Sequence, residues 1–241
     1  KLNLKWIGIG LNRENVYTVS DGKFSALVHD CEEKPYISED PNKIKELIIS
    51  HNNVLDKAMK NFNGVIPLHF NTIIKKRDNL PVDNLKNWLN NDKERLEKIW
   101  DKVNGKKEYG IRIYYEKDKL VQEASNAQEI REIEESQETK SPGLSYLLQS
   151  KAKSKTNEIV LNKINCFKQK FYGNIKKTTN DVKINSSRVF INEEKDLLLS
   201  LSVLVEEQQV AEIKKTLEKT NDFSFQVAGP FAPYSFVQNE A

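Results

Sequence analysis

An α+β protein of two domains is the fold class the sequence predicts, and three observations predict it. Strand-like alternation and helix-like apolar stripes both recur along the 241 residues. In the second half they follow the order strand, helix, strand, strand, helix, strand, which is the ferredoxin-like βαββαβ succession. The most apolar run in the chain, residues 197–205 (LLLSLSVLV), stands third among those strands, where that topology needs a central one. A boundary near Gly105 then gives an N-terminal α+β domain over 1–105 and a C-terminal ferredoxin-like domain over 106–241.

The elements follow in order. Residues 5–10 (KWIGIG) and 24–28 (FSALV) read as short strands. Asp40 can cap a helix whose first position suits Pro41, because the missing N–H is unused there. Ile44, Leu47, Ile48, Leu55, Ala58, Met59 and Phe62 give it an apolar stripe, and Gly64 breaks the pattern. Residues 65–74 (VIPLHFNTII) alternate, with Ile66, Leu68 and Phe70 on one face and Pro67, His69 and Asn71 on the other. Pro67 restricts such a strand to an edge or a bulge. One further helix is expected from near Asp83 to Asn104-Gly105, burying Leu85, Trp88, Leu89, Leu96, Ile99, Trp100 and Val103.

Tyr109, Ile111, Ile113 and Tyr115 alternate as a strand. The charged stretch 117–140 is expected as a solvated helix or partly disordered insertion, with residues 122–141 dispensable for folding. Ser141-Pro142 restarts a helix, with a stripe through Leu144, Leu147, Leu148, Val160, Ile164, Phe167 and Phe171. Residues 182–191 and 197–205 suggest a hairpin about Asn192-Glu193-Glu194-Lys195. Val210, Ile213 and Leu217 mark a short helix, and Phe223, Phe225 and Val227 a last strand.

Composition narrows the function classes. Apolar residues make up 38%, charged residues 30%, and the 38 Lys+Arg against 35 Asp+Glu leave a net charge of only +3 with the signs interspersed. A dedicated nucleic-acid binder usually carries a basic stripe instead. No apolar run approaches the roughly 20 residues that span a bilayer, and no secretory leader is expected. Cys31 and Cys166 form no CxxC pair and read as two reduced, partly buried thiols.

Chemistry-bearing motifs are scarce. Gly8-x-Gly10 lacks the third glycine of a dinucleotide fingerprint, which is Arg13 here, and no helix follows. No Walker loop occurs, and Gly143-Leu144-Ser145-Tyr146-Leu147 lacks the closing glycine of a nucleophile elbow. His29, His51 and His69 have no paired ligand spacing, and His51, on its helix's apolar stripe, reads as a hydrogen-bonded core histidine. No catalytic residue, metal or cofactor is expected. RNA recognition on a βαββαβ sheet needs aromatics on both central strands, and LLLSLSVLV supplies none. A small-ligand sensor on the same topology stays open as an alternative.

Three stretches, VIPLHFNT, PGLSYLL and GPFAPYSFV, together resemble the gas vesicle protein F/L family (GvpF/GvpL). Its members carry a "PLRFGT"-like strand, a "G-x-x-YLL" helix start and a terminal "GPWPPYSF"-like motif. His69 stands where the family tends to have arginine, Asn71 where it has glycine, and Phe231-Ala232 where it has Trp-Pro. The resemblance implies a non-enzymatic accessory or minor structural protein, at the gas vesicle or in the cytoplasm, with a C-terminal domain of modified ferredoxin fold. It implies shell and accessory gas vesicle proteins as partners, and neither nucleic acid nor a lipid membrane. A gas-filled shell needs a water-repelling inner surface, and its free subunits would aggregate unless that apolar face were covered.

Pro67, His69 and Phe70 in the first motif, with Phe231, Tyr234 and Phe236 in the last, are the candidate interaction or domain-closing residues. Prolines 230 and 233 restrict the terminal segment, so its rings are held at low entropic cost. They either close the protein's own core or domain interface or dock a partner.

Overall fold

The computed structural model describes residues 8–76, 78–135, 141–185, 196–220 and 222–237. The chain divides into two compact units, one formed by Lys1–Glu108 with Pro230–Ala241, the other by Tyr109–Gly229. The sequence reading carries the C-terminal domain to residue 241, whereas the terminal segment from Pro230 groups with the first unit.

In the first unit, strands β1 (Gly8–Ile9), β2 (Asn15–Asp21) and β3 (Phe24–Val28) form a three-stranded antiparallel sheet in that order. A 3-10 turn, Leu11–Arg13, links the first two. β2 is an element that sequence reasoning missed. Its signal was Asp21-Gly22 ahead of the alternating 24–28 run, a hairpin signature. Gly22 takes φ +70 in the two-residue loop between Asp21 and Phe24, a conformation that glycine adopts without steric cost. Of the expected strand at 5–10, Gly8–Ile9 form β1, and residues 5–7 lie outside the described residues.

Helix α1 (Pro41–Asn61) begins as expected, with the Asp40 carboxylate accepting the Asn42 N–H at 2.9 Å. Its stripe is only partly covered: Leu47 and Ala58 are buried, while Ile44 and Ile48 are exposed. Residues 65–74 form no strand, contrary to expectation. Pro67 has no N–H to give a ladder, and Asn71 at φ +68 turns the chain. The alternation fails with it, since Pro67 is buried and Leu68 is exposed.

The expected single helix to Asn104 is two, α2 (Pro81–Asn91) and α3 (Lys93–Val103). Asp92 separates them, ending one, preceding the next and pairing with Arg95 at 2.5 Å. Aspartate favours such local contacts over a helix interior. Val19, Leu85, Leu89 and Leu96 form the buried core between β2 and these helices, with Phe24, Ile66 and Trp88 packed against it. Gly64 lies under Trp100, where a Cβ would meet the indole ring at 2.9 Å.

The second unit is built on strands β4 (Lys107–Tyr115), β5 (Val182–Ile184), β6 (Asp196–Val205) and β7 (Phe223–Phe231), in the order β5-β6-β4-β7. The two most regularly apolar strands, β4 and β6, are thus central and adjacent, as the sequence predicts. β5 pairs antiparallel with β6 through Val182↔Val203 and Ile184↔Leu201. The turn expected at 192–195 lies outside the described residues.

Helices α4 (Lys117–Ser125) and α5 (Gln128–Glu135) precede α6 (Pro142–Lys176), and α7 (Glu207–Glu218) lies between β6 and β7. A reciprocal capping box of Glu206 and Gln209 starts α7, satisfying two backbone donors. The core joins Tyr109, Ile111 and Ile113 of β4 to Leu201, Val203 and Val205 of β6, under Phe171 and Ile175 of α6 and Val210, Ile213 and Leu217 of α7.

The charged stretch is not a solvated insertion. α4 and α5 pack on α6 and bury Leu120, Ala124 and Ile130, with ion pairs Glu123–Lys163 at 3.1 Å and Glu129–Lys155 at 3.5 Å alongside. Three buried residues set among charges gave too weak a stripe to read. Residues 136–140 lie outside the described residues. Cys31 and Cys166 are both free and exposed rather than partly buried.

Candidate functional site

The terminal motif ends in a short helix, α8 (Tyr234–Val237), that belongs to the first unit. Its residues divide. Ala232, Phe236 and Val237 are buried, Tyr234 is half-buried, and Phe231 is 49% exposed. The Tyr234 hydroxyl and His51 Nε2 of α1 share a hydrogen bond of 2.6 Å. Two residues of the first unit that lie far apart in sequence, Glu108 and Ser235, are joined twice. The buried Glu108 carboxylate accepts the Ser235 N–H at 2.9 Å and its hydroxyl at 2.5 Å. These bonds meet the requirement that a buried carboxylate be hydrogen-bonded.

From Tyr234 a file of rings runs through the unit. Tyr234 lies 6.5 Å from His51, His51 packs edge-on against Phe70 at 5.5 Å, Phe70 lies 6.3 Å from Tyr36, and Tyr36 lies 6.0 Å from His29. His29 Nε2 and the Tyr36 hydroxyl share a second hydrogen bond of 2.9 Å. The file joins four separate segments, with tilted or edge-on geometry of the kind aromatic pairs prefer.

Burial tunes the groups along it. Desolvation holds His51 below the usual histidine range, and the charge of His29 acts in the same direction. Desolvation also lowers His29, against the opposing carboxylates of Glu14 and Asp30. Tyr234 is raised by burial alone. Tyr17 is pushed up to about 12 by burial and by its 2.8 Å hydrogen bond to Asp30. Both ring pairs thus sit in neutral forms near neutral pH and act as hydrogen-bonded packing elements.

Of the first motif, Phe70 joins the file, Pro67 is buried, and His69 is exposed. The His69 carbonyl instead accepts the Thr72 N–H at 3.1 Å and the Thr72 hydroxyl at 2.7 Å. Asn71, singled out in the sequence only as a departure from the family motif, has a structural role. Its Oδ1 accepts the Tyr36 N–H at 2.8 Å and its Nδ2 donates to the Tyr36 carbonyl at 3.2 Å. Asn71 stands at φ +68, a left-handed conformation that asparagine tolerates better than most residues. Tyr36, Glu108 and Ser235 offered no signal in the sequence.

Among the described residues no group of three or more His, Cys, Asp or Glu is placed to hold a metal ion. Two surface depressions, of about 100 Å³ beside Asp21, Phe24 and Leu89 and about 30 Å³ beside Tyr115 and Phe223, are small against the ~300–1,000 Å³ of ordinary ligand sites. No described helix is long and apolar enough to cross a membrane.

Fold and ring file together define a mixed helix-and-sheet protein whose last segment is clasped into its own first unit. A family model for gas vesicle synthesis protein GvpL/GvpF matches residues 2–238, and the chain belongs to that family. Gas vesicle protein L of Haloferax mediterranei is 23% identical over 240 residues, 96% of this chain and 73% of that protein. Gas vesicle protein L1 of Halobacterium salinarum is 22% identical over 94% of this chain and 82% of its own length. Among solved structures, gas vesicle protein GvpF from Anabaena sp. PCC7120 superposes with a TM-score of 0.71 at 20% identity, covering 95% of this chain and 91% of that one. GvpF from Microcystis aeruginosa gives 0.59 at 16% identity. The protein is therefore one involved in gas vesicle formation.

Proposed function

We propose that this chain is a non-catalytic accessory or minor structural protein that supports gas vesicle assembly by binding the shell protein or other accessory gas vesicle proteins. One observation carries the reading: apolar residues of two family-like motifs stand on the surface. In PGLSYLL, Leu144 is 41%, Tyr146 72% and Leu147 63% exposed, and Phe231 of the terminal motif is exposed beside the inward Phe236. Exposed apolar side chains gathered in one helix start are a feature of interaction surfaces. The terminal motif then serves both roles, with Phe236 and Tyr234 closing the first unit and Phe231 turned outward. The strand order β5-β6-β4-β7, with helices between β4 and β5 and between β6 and β7, supports a modified ferredoxin fold for the second unit.

The test is complementation in cells deleted for this gene, using L144D/L147D and Phe231→Asp variants shown by circular dichroism to be folded. Wild type restores buoyant vesicles and co-purifies with the small shell subunit or another gas vesicle protein, and the variants lose both. Variants that restore flotation and retain every such partner would refute the reading.

A further inference from the structure

Helix α6 is the most basic of the described elements. Its 35 residues, about 50 Å of helix, carry seven lysines against the single Glu158. Three of the lysines are engaged within the unit: Lys155 with Glu129 and Glu158, Lys163 with Glu123, and Lys176 over the Tyr172 ring. Lys151, Lys153, Lys168 and Lys170 are exposed and form no ion pair with another described residue.

Side chains turned away from the core add a second feature. Ala152, Thr156 and Val160 are buried, whereas Leu147, Ser150, Ser154, Asn157 and Leu161 are exposed at alternating three- and four-residue steps. Leu147, 63% exposed, and Leu161, 59% exposed, are two heptads apart, so they lie on one line along the helix. Lys151 and Lys153 stand on either side of that line, at the flanking positions that select a partner helix by charge in coiled coils.

We propose that this face of α6 docks an acidic amphipathic helix of a partner protein, its leucine-type residues meeting Leu147 and Leu161 and its carboxylates meeting Lys151 and Lys153. The occupant is argued from charge complementarity and from the heptad line, which suits a second helix better than an extended strand. Nucleic acid would use the lysines but leave the two leucines unmatched. The inference rests on the assembly reading above and names the partner's chemistry.

The probe is a designed 21-residue peptide with leucine at its core positions and glutamate at its flanks, and a twin with lysine at the flanks. Fluorescence anisotropy with the full chain reads binding at low and high salt. The glutamate peptide is expected to bind wild type about tenfold or more tighter than the lysine twin, with affinity falling as salt rises. K151E/K153E should reverse that preference, and L147S/L161S should weaken both peptides. These residues are exposed, so circular dichroism should show each variant folded.

Equal binding of the two peptides, or a preference unchanged in K151E/K153E, would overturn the proposal. So would lysine-dependent binding of a 20-base-pair DNA duplex or of phosphatidylserine vesicles in place of the peptide. Failure of the assembly reading is seen separately, as gene deletion that leaves vesicle number unchanged whatever the peptides do.

Discussion

His51 holds a buried charge state and Asn71 a left-handed backbone conformation, and each can be tested by substitution. His51 and His29 are kept neutral chiefly by burial. In the unfolded chain each takes a proton near its ordinary value of about 6.5. Between that value and the depressed folded one the unfolded state binds more protons, so stability falls as pH drops below about 6.5. Urea unfolding at pH 7.5 and pH 5.5 should show this loss, and His51→Gln should remove part of the slope. A stability that rises on acidification would contradict the assignment. Asn71 gives a second expectation. Asn71→Ala should cost about 1–2 kcal/mol for the left-handed backbone, in addition to the two bonds to Tyr36. Asn71→Gly loses only the bonds, so it should be the milder change. Equal denaturation midpoints for the two would show that the backbone conformation carries no cost.

At the scale of elements, α5 is where the sequence misled and where its correction can be measured. Ile130 is 1% exposed on a helix that packs against α6. Ile130→Ala should therefore destabilise by about 2–5 kcal/mol, read as a lower denaturation midpoint, and replacing 122–141 with a Gly/Ser linker should do at least as much. An unchanged midpoint in both would restore the view that the stretch is dispensable. What could be read from sequence, and what could not, follows from range. The cap at Asp40, the helix start at Pro142, the central LLLSLSVLV strand and the Val210-Ile213-Leu217 helix are encoded by neighbours a few residues apart. Residues 65–74 alternate as a strand should, yet Pro67 and Asn71 override the alternation, and periodicity does not register a single backbone constraint of that kind. The ring file is set entirely by long-range partners. Three of its members were legible, Tyr234 and Phe70 as candidates and His51 as a hydrogen-bonded core histidine, and nothing local says that they meet.

For the whole molecule, the terminal motif groups with the first unit and is buried at Ala232, Phe236 and Val237. Cutting the chain after Phe231 removes the buried Ala232, Phe236 and Val237, the Tyr234–His51 bond and both bonds to Glu108. Each large apolar side chain is worth about 1.5–3 kcal/mol when buried, against a total stability of roughly 5–15 kcal/mol. The truncated protein should melt markedly earlier or fail to fold, with losses in hydrogen-exchange protection concentrated in α1 and β4. A truncated chain that melts like wild type would show that the motif contributes nothing to closure, leaving outward contact through Phe231 as its one role.

His51 and Tyr234 are 183 positions apart, and the whole second unit is encoded between the two parts of the first. On the ribosome, residues 8–108 emerge early yet wait for their closing piece until after Gly229 has been translated. The second unit, continuous from Tyr109 to Gly229, has all its residues before the first does. The order of synthesis and the order of completion are therefore opposite for the two units. During that interval the half-ring of His29, Tyr36, Phe70 and His51 is open at the end that Tyr234 will occupy, a stage at which a nascent chain is exposed to chaperones and proteases.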